Sequence, residues 1–558
     1  MNDSVQAPIR IVILGGGFAG VYAAKYLTQL LGRRPDVEVE LLSEENYFVF
    51  QPLLPEVAAG GIAATHVVNP IRELVPKARF RCCSIVSIDF EKKHVNVSQG
   101  AGLELVSVPY DQLVFCLGKV THFASMPGVA EHALAMKDLA DAFRLRNHVL
   151  RCLELADIEP DLEAKRALLH FVVAGGGFSG VETIGELAEL VSRSLVYFPR
   201  IAPTEVRFSL VHAQQRILPE MPEPLSLAAR RILERRGVEM ILGARVRAAS
   251  PSAVYLHDGR SLATRTFVCT VGTAPNPIVQ RALVEGGFTQ AELNGRPISA
   301  FATDPTLECS GRPGYWAVGD CAGIPSPTGQ GLCPPTAQFA IREAKTCARN
   351  IVAAIDGRPK SPFAFRALGT LASLGQRSAV AEMFGLRMTG FIAWFAWRTV
   401  YLAKLPGWLR RLRVALDWTL DLFFPRDITQ LQVFQHQHLH VHHYEPGEAI
   451  VRQGQVGREL YLILKGEVEV SSSTSDKRVR LGAREVFGER AVLEDTRRNA
   501  TVCATQAADV LVLARADFHA MVHSLPVLRD YFAELLRARH PDALPAGSAG
   551  LDGLPKAA

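Results

Sequence analysis

The chain has 558 residues, 48% of them hydrophobic, enough for three or four domains that each bury a core. A net charge of +5 is too small for a protein whose main partner is nucleic acid. Ten cysteines without a C-x-x-C spacing exclude a disulfide framework, a zinc or other metal site, and the closely spaced redox pair of the disulfide reductases, and they point to a reduced compartment. The polar start MNDSVQAPIR leads straight into an apolar run, so no signal peptide is expected.

In chain order, residues 8–120 read as the first part of a flavin-binding domain. The apolar run Ile9 to Leu14 predicts a strand, and Gly15, Gly17 and Gly20 form G-x-G-x-x-G ahead of a helical pattern, VYAAKYL. Residues 121–164 read as linking helices, and residues 165–275 as a nicotinamide-binding domain. There the pattern returns: Leu168 to Ala174, then Gly175, Gly177 and Gly180, then VETIGELAEL. The first glycine of each set allows a tight turn, the second lets the backbone approach a pyrophosphate, and the third lets helix pack on strand. The helix N-terminus then offers free N–H groups to the anion. One copy can be a mere strand-to-helix turn; two copies imply two dinucleotides, a flavin and a nicotinamide. Residues 276–361 return to the flavin domain. The fold class is therefore α/β with two Rossmann-like dinucleotide-binding domains. The first unit ends in ELLSEEN, which puts Ser43 or Glu44 at the adenosine ribose; the second ends in SLVHAQQR, with His212 where an NADH-selecting acid would stand and Arg216 nearby. NADPH is thus not excluded.

Residues 362–430 hold Trp394, Trp397, Trp408 and Trp418 with a basic cluster of Lys404, Arg410, Arg411 and Arg413. The apolar stretch is interrupted by Arg398 and falls short of the ~20 residues that a span needs. An amphipathic helix pair lying on an anionic membrane fits, as does a buried core or dimer helix. From residue 431 the texture turns to short β-like runs broken by glycines, up to about 545; residues 546–558 are Gly, Ala and Pro-rich and expected to be disordered.

Several separated motifs resemble one family. ENYFVFQPLLPEVAAG (45–60), LVFCLGKVTHFASMPGV (113–129), KDLADAFRLRNHVL (137–150), GVETIGEL (180–187), GTAPNP (272–277), YWAVGDCA (315–322) and PPTAQFAIRE (334–343) resemble, in order, those of type II NADH dehydrogenases. The resemblance implies a single-subunit, non-pumping NADH:quinone oxidoreductase with FAD. It also implies peripheral, monotopic attachment to the cytoplasmic face of the cell membrane through residues 362–430. On it, Gly118 and Gly272 belong to the turns over the cofactors, and Asp320 accepts hydrogen bonds from the ribityl chain. Glu182 positions the nicotinamide against the flavin, although the helix dipole alone also favours a glutamate there. Gln338 lines the flavin and quinone pocket; Arg342 departs from a second family glutamine. Hydride transfer needs no side-chain acid or base, because the cofactors carry the chemistry.

Residues 431–545 resemble a cyclic nucleotide-binding domain, a β-rich jelly roll. The segment FGERAVLEDTRRNATV (487–502) resembles its phosphate cassette. On that resemblance Gly488 permits close approach, Glu489 accepts the ribose 2′-OH and Arg498 grips the cyclic phosphate. Asn499 leaves the choice between cAMP and cGMP open. The module is expected to act on the adjoining membrane segment, altering quinone reduction more than reduction of the flavin by NADH. Two other readings stand beside this one. A sulfide:quinone oxidoreductase would need two of Cys116, Cys321 and Cys333 at the flavin. A cyclic-nucleotide or redox sensor would lack respiratory turnover. A homodimer is compatible with all three.

Overall fold

A computed structural model describes residues 8–32, 34–100, 104–123, 126–329, 331–430, 439–455, 459–473, 475–494, 497–514, 517–518, 531–532 and 534. The tail expected to be disordered, 546–558, lies outside the described residues.

Strand Ile9–Leu14 is central in a five-stranded parallel sheet, in the order Tyr315–Ala317, Gln112–Phe115, Ile9–Leu14, Val37–Ser43, Arg79–Cys82. Its side chains alternate between two cores, as strand geometry requires. Ile11 and Ile13 meet helices Phe18–Leu31 and Ala337–Ile355; Val12 and Leu14 meet Val95, Val97 and Val108 of an antiparallel meander. Burial on both faces explains why the strand reads as an unbroken apolar run.

The second parallel sheet has the order Val238–Leu242, Arg207–His212, His170–Ala174, Thr266–Cys269. Phe171 and Val173 join the same core as Ile11 and Ile13. Val172 and Ala174 face a separate core built with Val246 and Val254 of the meander Val246–Ala249, Ala253–Leu256, Ser261–Ala263. The chain leaves the first domain and returns to it on paired strands, with Lys119–Thr121 antiparallel to Thr273–Pro275.

A three-stranded sheet from Gly369 to Thr389 leads to helices Gly390–Lys404 and Trp408–Phe423. No described helix is long and apolar enough to cross a membrane. The tryptophans correct the expectation of an interfacial belt. Trp394, Trp397 and Trp418 are buried, and only Trp408 is exposed. Their indoles face inward because partners are there: Trp397 donates to Glu182, Trp418 donates to Glu56, and the Arg398 guanidinium lies 4.0 Å from the Trp394 ring centre and 4.6 Å from that of Trp418.

The C-terminal module is two antiparallel four-stranded sheets, Leu439–Tyr444, Ala508–Ala514, Glu459–Lys465, Val486–Phe487 and Ala449–Val451, Thr501–Ala504, Val468–Ser472, Ser475–Leu481. Between them lie Tyr444, Ile463, Val468, Val502 and Val510. The module's first strand rests on the second dinucleotide domain: the His443 N–H donates to His132 Nε2 at 3.1 Å, and Ser250 donates to Glu448 at 2.6 Å. These contacts bring the module against the nicotinamide half and the segment that precedes it.

Candidate active site and nucleotide cassette

The two fingerprint loops have the same geometry. Gly15 has φ 107° and Gly175 φ 116°, values that L side chains rarely adopt. A Cβ on Gly20 would lie 1.8 Å from the Gly15 carbonyl oxygen, and one on Gly180 1.8 Å from that of Gly175. By contrast, a Cβ on Gly17 or Gly177 would meet nothing within 4 Å, although each caps a helix whose first N–H groups point outward. That open space above a helix N-terminus is the cradle a pyrophosphate fills.

The strand ends differ. Ser43 is buried beside the first loop, its Oγ 2.4 Å from a Cβ placed on Gly16, while Glu44 is exposed one step further. In the equivalent place His212 receives the Gly176 N–H on Nδ1 at 3.0 Å. Burial holds its imidazole below the ordinary value. The neutral ring accepts at Nδ1, so Nε2 carries the hydrogen, and that buried atom has no hydrogen-bond partner among the described residues.

Asp320 sits on the turn Gly319–Cys321 after strand Tyr315–Ala317. A Cβ on Gly319, at φ 75°, would be 3.1 Å from Ala19 of the first fingerprint helix, so the turn and that helix approach closely. Sequence reasoning missed Glu343. Its Oε2 accepts the Gly319 N–H at 2.9 Å, and burial, then the Asp320 charge, push its carboxyl up to about 7. The signal was an acid on the inner face of the helix that starts at Ala337. Gln338 is half-buried in that helix's first turn, and the Arg342 guanidinium lies 4.7 Å from the Phe365 ring centre. Gly118 has φ 62°, and Gly272 has φ 92° with a Cβ position 2.7 Å from the His122 carbonyl oxygen, at the paired crossing strands.

Glu182 lies in the first turns of the second fingerprint helix, facing the C-terminal sheet and helices. Its Oε1 accepts from the Ser373 N–H at 2.9 Å and from the Trp397 indole at 3.2 Å, and burial raises its carboxyl to about 8. Around it lies a buried ionic network that the sequence did not disclose. Glu56 faces Arg398 at 4.0 Å, and Arg426 reaches Glu186 at 3.7 Å, Glu189 at 3.4 Å and Asp421 at 3.0 Å. The one available signal was a charge inside an apolar run, as in PLLPEVAAG and AWFAWRTV.

Three stretches match known families: residues 9–344 the pyridine nucleotide-disulphide oxidoreductases, residues 368–427 the NDH2 C-terminal domain, and residues 441–524 the cyclic nucleotide-binding domain. The chain is 32% identical to the type II NADH:quinone oxidoreductase Ndh of Mycobacterium tuberculosis over 76% of its own length and 91% of that protein. The chain belongs to the type II NADH:quinone oxidoreductases. It is also 31% identical to a demethylphylloquinone reductase of Synechocystis, over 73% of this chain and 95% of that one. A solved NDH2 of Plasmodium falciparum in complex with NADH shares the fold at TM-score 0.69 and 19% identity, over 75% of this chain and 99% of that one.

As a member of this family the protein is an FAD-dependent enzyme that oxidises NADH. FAD supplies the acceptor for the hydride and the donor to the quinone. Sulfide chemistry would need a reactive thiolate beside the flavin. Cys116 and Cys321 are instead buried free thiols, and burial pushes Cys321 up to about 12 and the half-exposed Cys333 to about 11.

In the C-terminal module, Gly488 has φ 84°, and a Cβ there would come 2.5 Å from Arg498 Nη1. Arg498 is buried, donating to the Gly488 carbonyl at 3.0 Å and the Glu459 carbonyl at 2.7 Å, over the Tyr461 ring. Glu489, which follows Gly488 in the chain, is buried, and Asn499 is exposed.

Proposed function

We propose that the protein is a peripheral, non-pumping NADH:quinone oxidoreductase of the cytoplasmic membrane face whose turnover a cyclic nucleotide adjusts. Gly15, Gly17 and Gly20 hold the FAD pyrophosphate, with Ser43 or Glu44 at the ribose and Asp320 at the ribityl chain. Gly175, Gly177 and Gly180 hold that of NADH. Glu182 positions the nicotinamide, and its raised carboxyl keeps a proton at neutral pH. Gly118 and Gly272 shape the turns over the two cofactors. His212 presents a donor in place of an acid, which supports use of NADPH beside NADH. Quinone reacts on the Gln338 side. In support, burial and then the Arg342 charge hold the Lys404 ammonium below its ordinary value, which fits an end of helix Gly390–Lys404 within electrostatic reach of the Gln338 helix.

The observation that carries the membrane reading is a row of exposed apolar side chains. Leu412, Leu416, Leu420 and Phe423 are 48–77% exposed on helix Trp408–Phe423, while Val414 and Trp418 on its other face are buried. Phe391, Ile392 and Phe395 extend the row on the preceding helix, and Arg410, Arg411 and Arg413 flank it. A helix that is apolar on both faces needs a second apolar medium. The double substitution Phe391→Glu with Phe395→Glu should release the protein from vesicles containing anionic lipid while NADH oxidation with a water-soluble quinone persists. Full retention on the vesicles would refute this attachment. For the cassette, Gly488 admits the phosphate, Glu489 takes the ribose hydroxyl, Arg498 the cyclic phosphate, and Asn499 stands at its edge. Calorimetry with cAMP and with cGMP tests it directly, and no heat from either would reject the assignment.

A further inference from the structure

We propose that the cyclic nucleotide module is wired to the nicotinamide half of the enzyme, so that its ligand sets how NADH is bound and oxidised rather than how quinone is reduced. The inference rests on the cassette reading above.

The docked surface is a built interface between the two parts. Glu448 Oε1 accepts from Ser250 Oγ and from Ser252 Oγ, both at 2.6 Å, and its Oε2 accepts the Glu445 N–H at 2.7 Å. Glu445 in turn pairs with Arg247 at 3.1 Å. Gly128, at φ 68°, makes the close approach possible, since a Cβ there would sit 1.9 Å from the Ala249 carbonyl oxygen and 2.7 Å from the His443 Cβ. Ser250 and His443 are buried. The Glu448 carboxylate is half-buried and accepts three hydrogen bonds, and Ser250 beside it is buried, so breaking the contact would leave a buried hydroxyl without its acceptor.

Both ends of the interface lead directly to a nucleotide site. On the module side, strand Thr501–Ala504 begins three residues after Arg498, and its last residue is tied to the clamp: the Ala504 N–H donates to the Glu448 carbonyl at 2.9 Å, and the Gly447 N–H to the Ala504 carbonyl at 2.7 Å. Arg498 is the element with two arrangements. Here its fork is spent on the carbonyls of Gly488 and Glu459. A cyclic phosphate competes for the same donors and frees those carbonyls. On the enzyme side, the Ser252 carbonyl accepts the Thr264 N–H at 2.9 Å and the Pro251 carbonyl accepts from Arg265 at 2.9 Å, just before strand Thr266–Cys269. Leu134, two residues beyond His132, pairs with the same strand through Phe267 and Cys269. Thr270 directly follows that strand, and its Oγ1 donates to the Ala174 carbonyl and would lie 2.2 Å from a Cβ on Gly175. Two routes from the module therefore converge on the strand that abuts the NADH fingerprint loop.

A ligand shifts such a pair of arrangements only by its differential affinity for them, and the coupling is reciprocal at equilibrium. The test uses the full-length holoenzyme. Calorimetry measures the Kd of cAMP, and separately of cGMP, without and with saturating NAD+. Stopped-flow then follows anaerobic flavin reduction by NADH and, separately, reoxidation by quinone, each with and without the nucleotide that binds. The expected result is a Kd shift of at least about threefold with NAD+. The same nucleotide should change the calorimetric Kd of NAD+ by the same factor and alter flavin reduction by NADH, with quinone reoxidation altered less than about twofold. Glu448→Gln and, independently, Ser252→Ala should retain nucleotide binding and lose the coupling. Binding without any effect of NAD+, an effect confined to quinone reoxidation, or full coupling in both variants would each overturn the inference while leaving the cassette reading intact. No heat with either nucleotide would remove both.

Discussion

The flavin half and the nicotinamide half share one loop and differ in what surrounds it. In each, the third glycine sits against the carbonyl of the first and the space above the middle one is open. The strand end beside that loop is Ser43 in one and His212 in the other. Glycine spacing therefore builds the same open cradle in both halves, and a different side chain borders each. The outer faces differ too. The first sheet is covered by a meander of its own, whereas the meander over the second offers its Ser250–Ser252 turn to a further domain.

The sharpest way to break the symmetry is at the middle glycines. Gly17→Val should give colourless protein, and a yellow, fully loaded variant would contradict the flavin assignment. Gly177→Val should stay yellow yet be bleached by NADH about 10²-fold more slowly, because the side chain displaces the pyrophosphate. Bleaching at the wild-type rate would move NADH elsewhere.

A smaller effect is expected at the strand end. His212→Glu replaces a donor with a charge that accepts from ribose hydroxyls and repels a 2′-phosphate. The ratio of kcat/KM for NADH over NADPH should rise about tenfold. An unchanged ratio would take His212 out of nucleotide selection.

The smallest effects concern two buried carboxyls, one per half. Glu343 is held at about 7 and Glu182 at about 8, both above the ordinary 4.5. Below 4.5 the acid is neutral whether the chain is folded or not. As pH rises, the unfolded chain ionises first and the folded one only at 7 or 8, so folded stability is lost across that window. Glu182→Gln should thus gain melting temperature relative to wild type progressively from pH 5 to 8, by a few degrees, and Glu343→Gln should stop gaining near pH 7. A gap independent of pH in calorimetric melting would mean that these groups are ionised in the folded protein.

Much of this was legible before any coordinates. The fingerprints are short runs whose backbone demands are met by their own residues, so their spacing discloses them, while the Asp320 turn and the cassette were legible through their resemblance to known families. The ionic network of Glu56, Glu186, Glu189, Arg398, Asp421 and Arg426 was not legible as a network, because its members come from segments far apart in the chain and a charge inside an apolar run does not name its partner. The tryptophans misled for the same reason. Composition placed all four at a membrane surface, but Trp397 and Trp418 turn inward to the carboxylates of Glu182 and Glu56.

The sequence by itself determined two dinucleotide sites, the family and the attached nucleotide module, since glycine spacing and strand-to-helix patterning are local properties of the chain. Only the tertiary structure decided which side chains of the Trp-rich helices face outward and where the module sits. Position in the chain put that module next to the membrane segment. Glu448 meeting Ser250 and Ser252, 198 and 196 residues away, put it on the nicotinamide half, because a carboxylate partly withdrawn from water settles where donors converge rather than where the chain last passed.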